Sequence, residues 1–328
     1  MKVCRSVKTV IRRALPAMAS LALLIPGAAI AQYPAKPVHL IVPFPAGGAT
    51  DAAARELAEG LSHALGQTFV VDNRPGADGA IAAQAVVSAN PDGYTLLFAS
   101  SSMEGIPFVQ KNAPFKTLND LAPVSLVCRF VFGVAVNAGL PSRSMDEFVA
   151  YARANPGKLN YGSISLSEVM AAAQFMKATG THLVKVGYKG APQLVPDLAG
   201  NQIQVSFGPV SPLLPFVREG RVKVLGVLLD HRVAILPDAL SVKEAHLAGV
   251  TGAGGLQAVM GPHDLPRDVA ERLSTNIASI LAQPATRAKF AQRGQEAEAS
   301  SPQTLAKMIS AERDGWVRFV ADEGLKPE

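Results

Sequence analysis

The 328-residue chain carries 31 Lys and Arg against 26 Asp and Glu, a formal net charge of +5, and 48% of its residues are apolar. The excess of positive charge sits in the first thirteen residues, so the remainder is near neutral and has no basic tract, which excludes nucleic-acid binding. Of the two cysteines, Cys4 and Cys128, one lies in this N-terminal stretch, which excludes a disulfide framework for the rest.

Lys2, Arg5, Lys8, Arg12 and Arg13 form a basic region ahead of Ala14–Ile25, an apolar stretch broken by proline and too short to span a membrane. Ala29-Ile30-Ala31 then offers an A-x-A cleavage site before Gln32. Residues 1–31 therefore read as a signal peptide of the general secretory route. Cys4 precedes the apolar run and does not read as a lipid anchor. No second long apolar segment follows, so a soluble exported product is expected. Cys128, within SLVCRFVFGVAV, reads as a small buried hydrophobe.

Val38–Val42 is an apolar run interrupted only by His39, and Pro43-Phe44-Pro45 ends the strand it predicts, because proline lacks a ladder N–H. Ala46-Gly47-Gly48-Ala49 is a small-residue loop. Thr50 and Asp51 are both good N-cap types, and Leu57, Leu61 and Leu65 recur every four residues up to Gly66. The unit is strand, glycine loop, helix. It points unpaired helix amides at whatever lies above the strand, where an anion can be held without lysine or arginine.

Thr68–Asp72 predicts a strand, Asn73–Gly79 a turn-rich loop, Ala80–Ala89 a helix and Tyr94–Ala99 a strand leading into Ser100-Ser101-Ser102. Pro107–Asp120 is irregular, anchored by Phe108 and Phe115. Leu121–Val136 carries another strong strand, and 137–141 reads as a crossing. A helix over 144–154, a strand over 159–161 and the hydroxyl-rich loop Gly162–Ser167 precede a helix from Glu168 to Thr179, repeating the logic of the first unit. His182–Tyr188 predicts a strand, Lys189-Gly190-Ala191-Pro192 a loop, 193–199 a helix, 203–207 a half-buried strand, 216–220 a helical piece and 222–229 a strand. Thr251–Gly255 reads as the return crossing. Leu256–Met260 is the next strand. Helices are expected from Pro266, from Pro284 to Gly294, and from Thr304 with Ser301 as cap. Alternating strands and helices imply mostly parallel sheets with loops at the strand C-termini forming a crevice. The chain leaves one lobe (32–137 plus 256–328), builds a second (138–255) and returns, so two crossings make a hinge around a cleft.

Catalytic signatures are missing. There is no G-x-S-x-G elbow, no G-x-G-x-x-G, no phosphate-loop lysine, and no metal spacing among His39, His63, His182, His231, His246 and His263. Neither an enzyme nor a cofactor or metal site is expected. Backbone-rich loops with few convergent charges fit a binder of small anions better.

Several segments carry a family resemblance: YPAKPVHLIVPFPAGGATD (33–51), VVDNRPGADG (70–79), ANPDGYTLLFASS (89–101), FKTLNDLAPVSLV (115–127), ANPGKLNYGS (154–163), YKGAPQLVPDLAGNQI (188–203) and LPRDVAERL (265–273). With them the chain resembles the Bug-type extracytoplasmic receptors of tripartite tricarboxylate transporters over nearly its whole length beyond residue 31. The resemblance implies an α/β, two-lobed, type II-like periplasmic-binding-protein fold. It implies a periplasmic receptor that captures a small carboxylate between its lobes for a two-component membrane permease, and a monomer is expected because hinge closure needs free lobes. A sensor role, or an enzyme acting on a carboxylate, is the alternative. Carried over by position, the ligand-binding residues are Phe44, Ala46, Gly47, Gly48, Thr50 and Asp51 of the first loop and Ser100 and Ser101. From the other lobe come Ser163, Ser165, Lys189, Gly190, Ala191 and the Gly208 position. Asp51 is expected to cap and orient rather than touch an anion.

Three departures bear on the ligand. Amino-acid-binding members of the family have an aspartate where this chain has Gly208. The loop 162–167 has Ile164 and Leu166 among its serines, and a W-Y-G-like segment reads here as Leu256-Gln257-Ala258. The expected ligand is a non-amino carboxylate, dicarboxylic, aromatic or with an apolar body. Glu104, just past the serine loop, either points inward as a cation reader or is a solvated surface residue.

Overall fold

A computed structural model describes residues 33–324, apart from 234, 248–249 and 251–254. The leader and most of the expected return crossing lie outside the described residues. The strands are β1 (Val38–Val42), β2 (Phe69–Asn73), β3 (Thr95–Ser100), β4 (Ala122–Phe130), β5 (Gly133–Asn137), β6 (Asn160–Ser163), β7 (Val184–Gly187), β8 (Val205–Ser206), β9 (Val222–Val227), β10 (Leu240–Ser241), β11 (Leu256–Gly261) and β12 (Gln295–Ala297). The helices are α1 (Ala49–Leu65), α2 (Ala80–Val87), α3 (Ile106–Val109), α4 (Met145–Ala154), α5 (Leu166–Thr179), α6 (Ala191–Ala199), α7 (Leu214–Arg218), α8 (Arg267–Ala282), α9 (Pro284–Gln292) and α10 (Pro302–Glu323).

The strands form two six-stranded sheets, ordered β12-β4-β11-β3-β1-β2 and β10-β9-β5-β8-β6-β7. In the first, β1 pairs in parallel with β2 and β3, while β11 runs antiparallel to both β3 and β4. In the second, β6 is parallel to β7 and β8, and β5 is antiparallel to β8 and β9. The C-terminal ends of β1, β3, β6, β7 and β8 therefore carry the loops that meet between the sheets, where ligands of open α/β sheets bind.

The run expected as one strand over Leu121–Val136 is two, β4 and β5, in different sheets. The passage between sheets is at Val131-Phe132, ahead of the crossing expected at 137–141. No turn residue marks it, because both strands are largely buried and the passage itself is hydrogen-bonded: Val210 N donates to Val131 O at 2.9 Å and Phe130 N to Gly255 O at 3.0 Å. The segment 203–207 is buried rather than half-buried, since β8 lies between β5 and β6.

Apolar spacing explains the helices that frame the cleft. Ala53, Ala54, Leu57, Ala58 and Leu61 of α1 are buried, and Gly66 closes the helix in the left-handed conformation at φ 69°. Burying a leucine such as Leu57 or Leu61 contributes about 2 kcal/mol. Gly60 lets α8 approach: a Cβ there would stand 2.7 Å from Ile280 Cγ2. In the second lobe Phe175 of α5 packs on Phe207 with ring centroids 5.0 Å apart, and Tyr161 meets Phe207 edge-on at 6.0 Å. That aromatic cluster fixes α5 against the chain leaving β8.

Candidate functional site

Three helices start at the cleft and share one local design. In α1 the N-cap is Gly48, in α5 Ser165 and in α6 Gly190, and none makes a side-chain capping bond. Instead, the third residue of each helix reaches back. Asp51 Oδ2 accepts from Gly47 N at 3.0 Å, Glu168 Oε2 accepts from Ile164 N, and Gln193 Oε1 accepts from Lys189 N at 3.3 Å. The back-reaching acceptor sets the entry turn, as in one half of a capping box. No N-cap side chain competes for the first-turn amides, so three positive helix ends face one space.

That space is a cleft of about 690 Å³, counting the part open to solvent. The first lobe contributes Phe44, Pro45, Gly48, Ala49, Thr50, Ser100 and Gln257. The second contributes Ile164, Ser165, Glu168, Gly190, Ala191, Leu194, Val195, Ser206, Gly208, Pro209, Pro212 and Leu213. Phe130 and Phe132, at the passage between sheets, lie between them. The lobes approach at the rim: a Cβ on Gly190 would stand 3.0 Å from Pro45 Cγ.

Of the residues expected to bind ligand, the cleft brings together Phe44, Gly48, Thr50, Ser100, Ser165, Gly190, Ala191 and Gly208. Ala46, Gly47 and Lys189 lie outside it, and Gly47 borders a separate groove with Arg218 and Arg293. Ser101 and Ser163 are buried behind the lining. Thr50 and Asp51, expected as caps, lie inside the first turn of α1, because the bond from Gly47 starts the helix earlier. Asp51 faces away from the cleft. Besides Gly47 it takes Arg55 Nε and Asn73 Nδ2, each at 3.0 Å, and the same Asn73 nitrogen donates to Phe44 O at 3.0 Å. Burial pushes its carboxyl up, but the bonds from Arg55, Gly47 and Asn73 and the Arg55 charge together hold it below the usual aspartate value.

Glu104 neither faces the cleft nor meets solvent. It is fully buried, accepting from Leu118 N at 2.6 Å and from Arg313 of α10 at 3.0 Å, and so ties the serine turn to the C-terminal helix. Burial raises its carboxyl against the pull of those donors. Beside it, a Cβ on Gly105 would collide with the Trp316 ring at 2.8 Å. Cys128 is wholly buried in β4, which pushes its thiol up. Among the described residues no group of His, Cys, Asp and Glu has a metal-binding arrangement.

Three polar side chains of the lining were not anticipated as binding residues. Gln257, 2% exposed, donates to Ser100 Oγ at 3.2 Å, and its Oε1 has no partner. Ser206 is buried at the end of β8. Glu168, 3% exposed, is the only ionisable residue among the described residues lining the cleft. Its Oε1 would stand 2.8 Å from a Cβ on Gly208, so its carboxyl fills the place a side chain at 208 would leave from. Burial pushes its pKa up to about 7, against the pull of the Ile164 and Ser165 amides. An acid is therefore present beside position 208, supplied by α5. Only its place as the third residue of a helix that begins in a small-residue loop, as Asp51 is in the first loop, could have signalled it.

Residues 53–325 match the family described as "Tripartite tricarboxylate transporter family receptor". A UPF0065 protein of Bordetella bronchiseptica is 35% identical over 309 residues, 94% of this chain and 91% of its own. The structure of R. palustris Rpa4515 with adipate is similar at a TM-score of 0.85 and 29% identity, over 90% of this chain and 100% of that one. Periplasmic binding protein BugD is similar at 0.83 and 27%, over 90% and 100%. These likenesses agree with the two-sheet, two-lobed fold of type II periplasmic binding proteins. The chain belongs to the tripartite tricarboxylate transporter receptor family, and it is a solute-binding receptor rather than an enzyme.

Proposed function

We propose that the protein is exported to the periplasm, captures a small non-amino carboxylate with an apolar body by closing its lobes, and presents it to a two-component membrane permease. The observation that carries this reading is the meeting of three helix starts without capping side chains at a cleft that holds no Lys, Arg or His among its described lining residues. Backbone amides and helix dipoles favour one compact anionic group there. Phe44, Phe130, Phe132, Leu194, Val195 and Leu213 favour an apolar remainder. The similar R. palustris protein was solved with adipate, a carboxylate of this kind.

Thermal unfolding of the ligand-free protein against straight-chain dicarboxylates, aromatic acids and acidic amino acids tests the reading. A cognate acid at a hundredfold excess over its Kd stabilises the fold by about 2.7 kcal/mol, and its methyl ester does not. Stabilisation by aspartate or glutamate alone would overturn the non-amino assignment. Stabilisation by no acid would overturn the carboxylate reading. N-terminal sequencing of the exported product should begin at Gln32.

A further inference from the structure

Glu168 presents a problem for an anion receptor. A carboxylate ligand entering this cleft meets another carboxyl group, and no cation among the described lining residues stands between them. The loop before α5 offers Glu168 only the amides of Ile164 and Ser165. Across the cleft, the first turn of α1 presents Thr50, while Asp51 is turned to Arg55 and Asn73. β3 and β11 present the neutral Ser100 and Gln257. The start of α6 presents Gly190 and Ala191, with Lys189 outside the lining, and the chain after β8 presents Gly208 and Pro209. Behind α5, Glu104 is occupied by Arg313. Two carboxylates cannot both stay ionised at close range in such surroundings, so one must carry a proton.

We propose that Glu168 is a specificity-determining residue that meets the ligand in its acid form and donates its carboxyl proton in a hydrogen bond to a ligand carboxylate oxygen, so that the receptor captures a carboxylate together with a proton. The geometry supports this division of roles. Oε2 is held by the amide of Ile164, while Oε1 lies beside Gly208, and both residues line the cleft. A glycine at 208 is what leaves room for that oxygen, since a Cβ would stand at 2.8 Å. The raised pKa, near 7, means that little free energy is needed to keep the proton at neutral pH. When the free protein is ionised, the proton comes from the buffer and remains on Glu168 in the complex.

The inference rests on the carboxylate reading, and the test separates the two. Titration calorimetry of the mature protein with succinate, adipate and benzoate from pH 5.5 to 8.5, in buffers of different ionisation enthalpy, measures affinity and proton uptake together. The expected affinity is level up to about pH 7 and then falls about tenfold per pH unit, with uptake approaching one proton per ligand at the alkaline end. Glu168→Gln binds several-fold more weakly at pH 6 and loses the alkaline fall and the uptake. Binding with a flat pH profile, or binding that strengthens as pH rises, would overturn the inference and leave the carboxylate reading standing. Failure of all three acids to bind at pH 6 would overturn both.

Discussion

Asp51 and Glu168 occupy the same position in two helices that begin at the same cleft, and they have opposite surroundings. Each is the third residue of its helix, and each takes the amide four residues back, from Gly47 and from Ile164. Asp51 is then enclosed by Arg55, Asn73 and the Phe44 loop, with its charge satisfied and turned away from the cleft. Glu168 receives no cation and turns into the cleft beside Gly208. One backbone device therefore serves two ends. On the first lobe it fixes a loop, and on the second it places a titratable group. What decides between them is the presence of a cation one helical turn further on: Arg55 follows Asp51 by four residues, and Ala172 stands at the equivalent place after Glu168.

The sharpest way to break the comparison is stability against pH. Glu168 has its pKa raised above the unfolded value of 4.5 to about 7. Between these values the native state keeps a proton that the unfolded chain has lost, so wild-type stability falls as pH rises through that window. Glu168→Gln removes the fall. At pH 8 the variant is expected to be more stable than wild type by on the order of 3 kcal/mol, and at pH 4 the difference should vanish. Urea unfolding at the two pH values reads this directly. Equal curves at pH 8 would mean that Glu168 is ionised at little cost and that its surroundings do not differ from those of Asp51. Asp51 should behave in the reverse sense. Its folded pKa lies below 3.8, so its contribution is present above that value and is lost as pH falls through the depressed pKa. Asp51→Ala is expected to cost about 2 kcal/mol at pH 7, because it leaves Gly47 N, Asn73 and Arg55 without their shared acceptor. The loss should shrink toward pH 2. A cost that persists unchanged in acid would assign the effect to packing rather than to charge.

The first of these two helix starts was legible in the sequence and the second only in part. Prolines, paired glycines and four-residue leucine spacing mark β1, its loop and α1, although the helix begins at Ala49, ahead of the caps expected at Thr50 and Asp51. The hydroxyl-rich loop before α5 was visible for the same reason. Whether Glu168 pointed to solvent or into a cleft was not, because a lone acid in a first helical turn has the same local pattern in both cases. Its surroundings come from Gly208, Gly190 and the α1 loop, all distant in sequence. Glu104 shows the same limit: its partner Arg313 lies 209 residues away. The split of Leu121–Val136 into strands of two sheets was hidden because the residues from Phe130 to Val136 are apolar or glycine and buried, so nothing in the pattern changes where the sheet does. β12 escaped because three residues added antiparallel to β4 carry no periodicity to detect.

The smallest expected effect concerns the rim where the two loops meet. Gly190 starts α6 on the second lobe, and Pro45 belongs to the loop that Asp51 fixes on the first. In Gly190→Ala the new methyl carbon would lie 3.0 Å from Pro45 Cγ and 3.2 Å from its Cδ, so one loop must yield by a few tenths of an ångström. The backbone itself does not object, since Gly190 has φ 178°, extended backbone that alanine adopts. Unfolding in urea should therefore change by less than about 0.5 kcal/mol. Carboxylate affinity should fall a few-fold, because closure brings the methyl group against a loop with little freedom to move. Combining it with Asp51→Ala sharpens the point. If the Asp51 network is what makes the Pro45 loop rigid, releasing it lets the loop yield, and the affinity cost of Gly190→Ala shrinks in the double variant. Additive costs would mean that the loop is held by its prolines alone, and that Asp51 stabilises the fold without setting the shape of the rim.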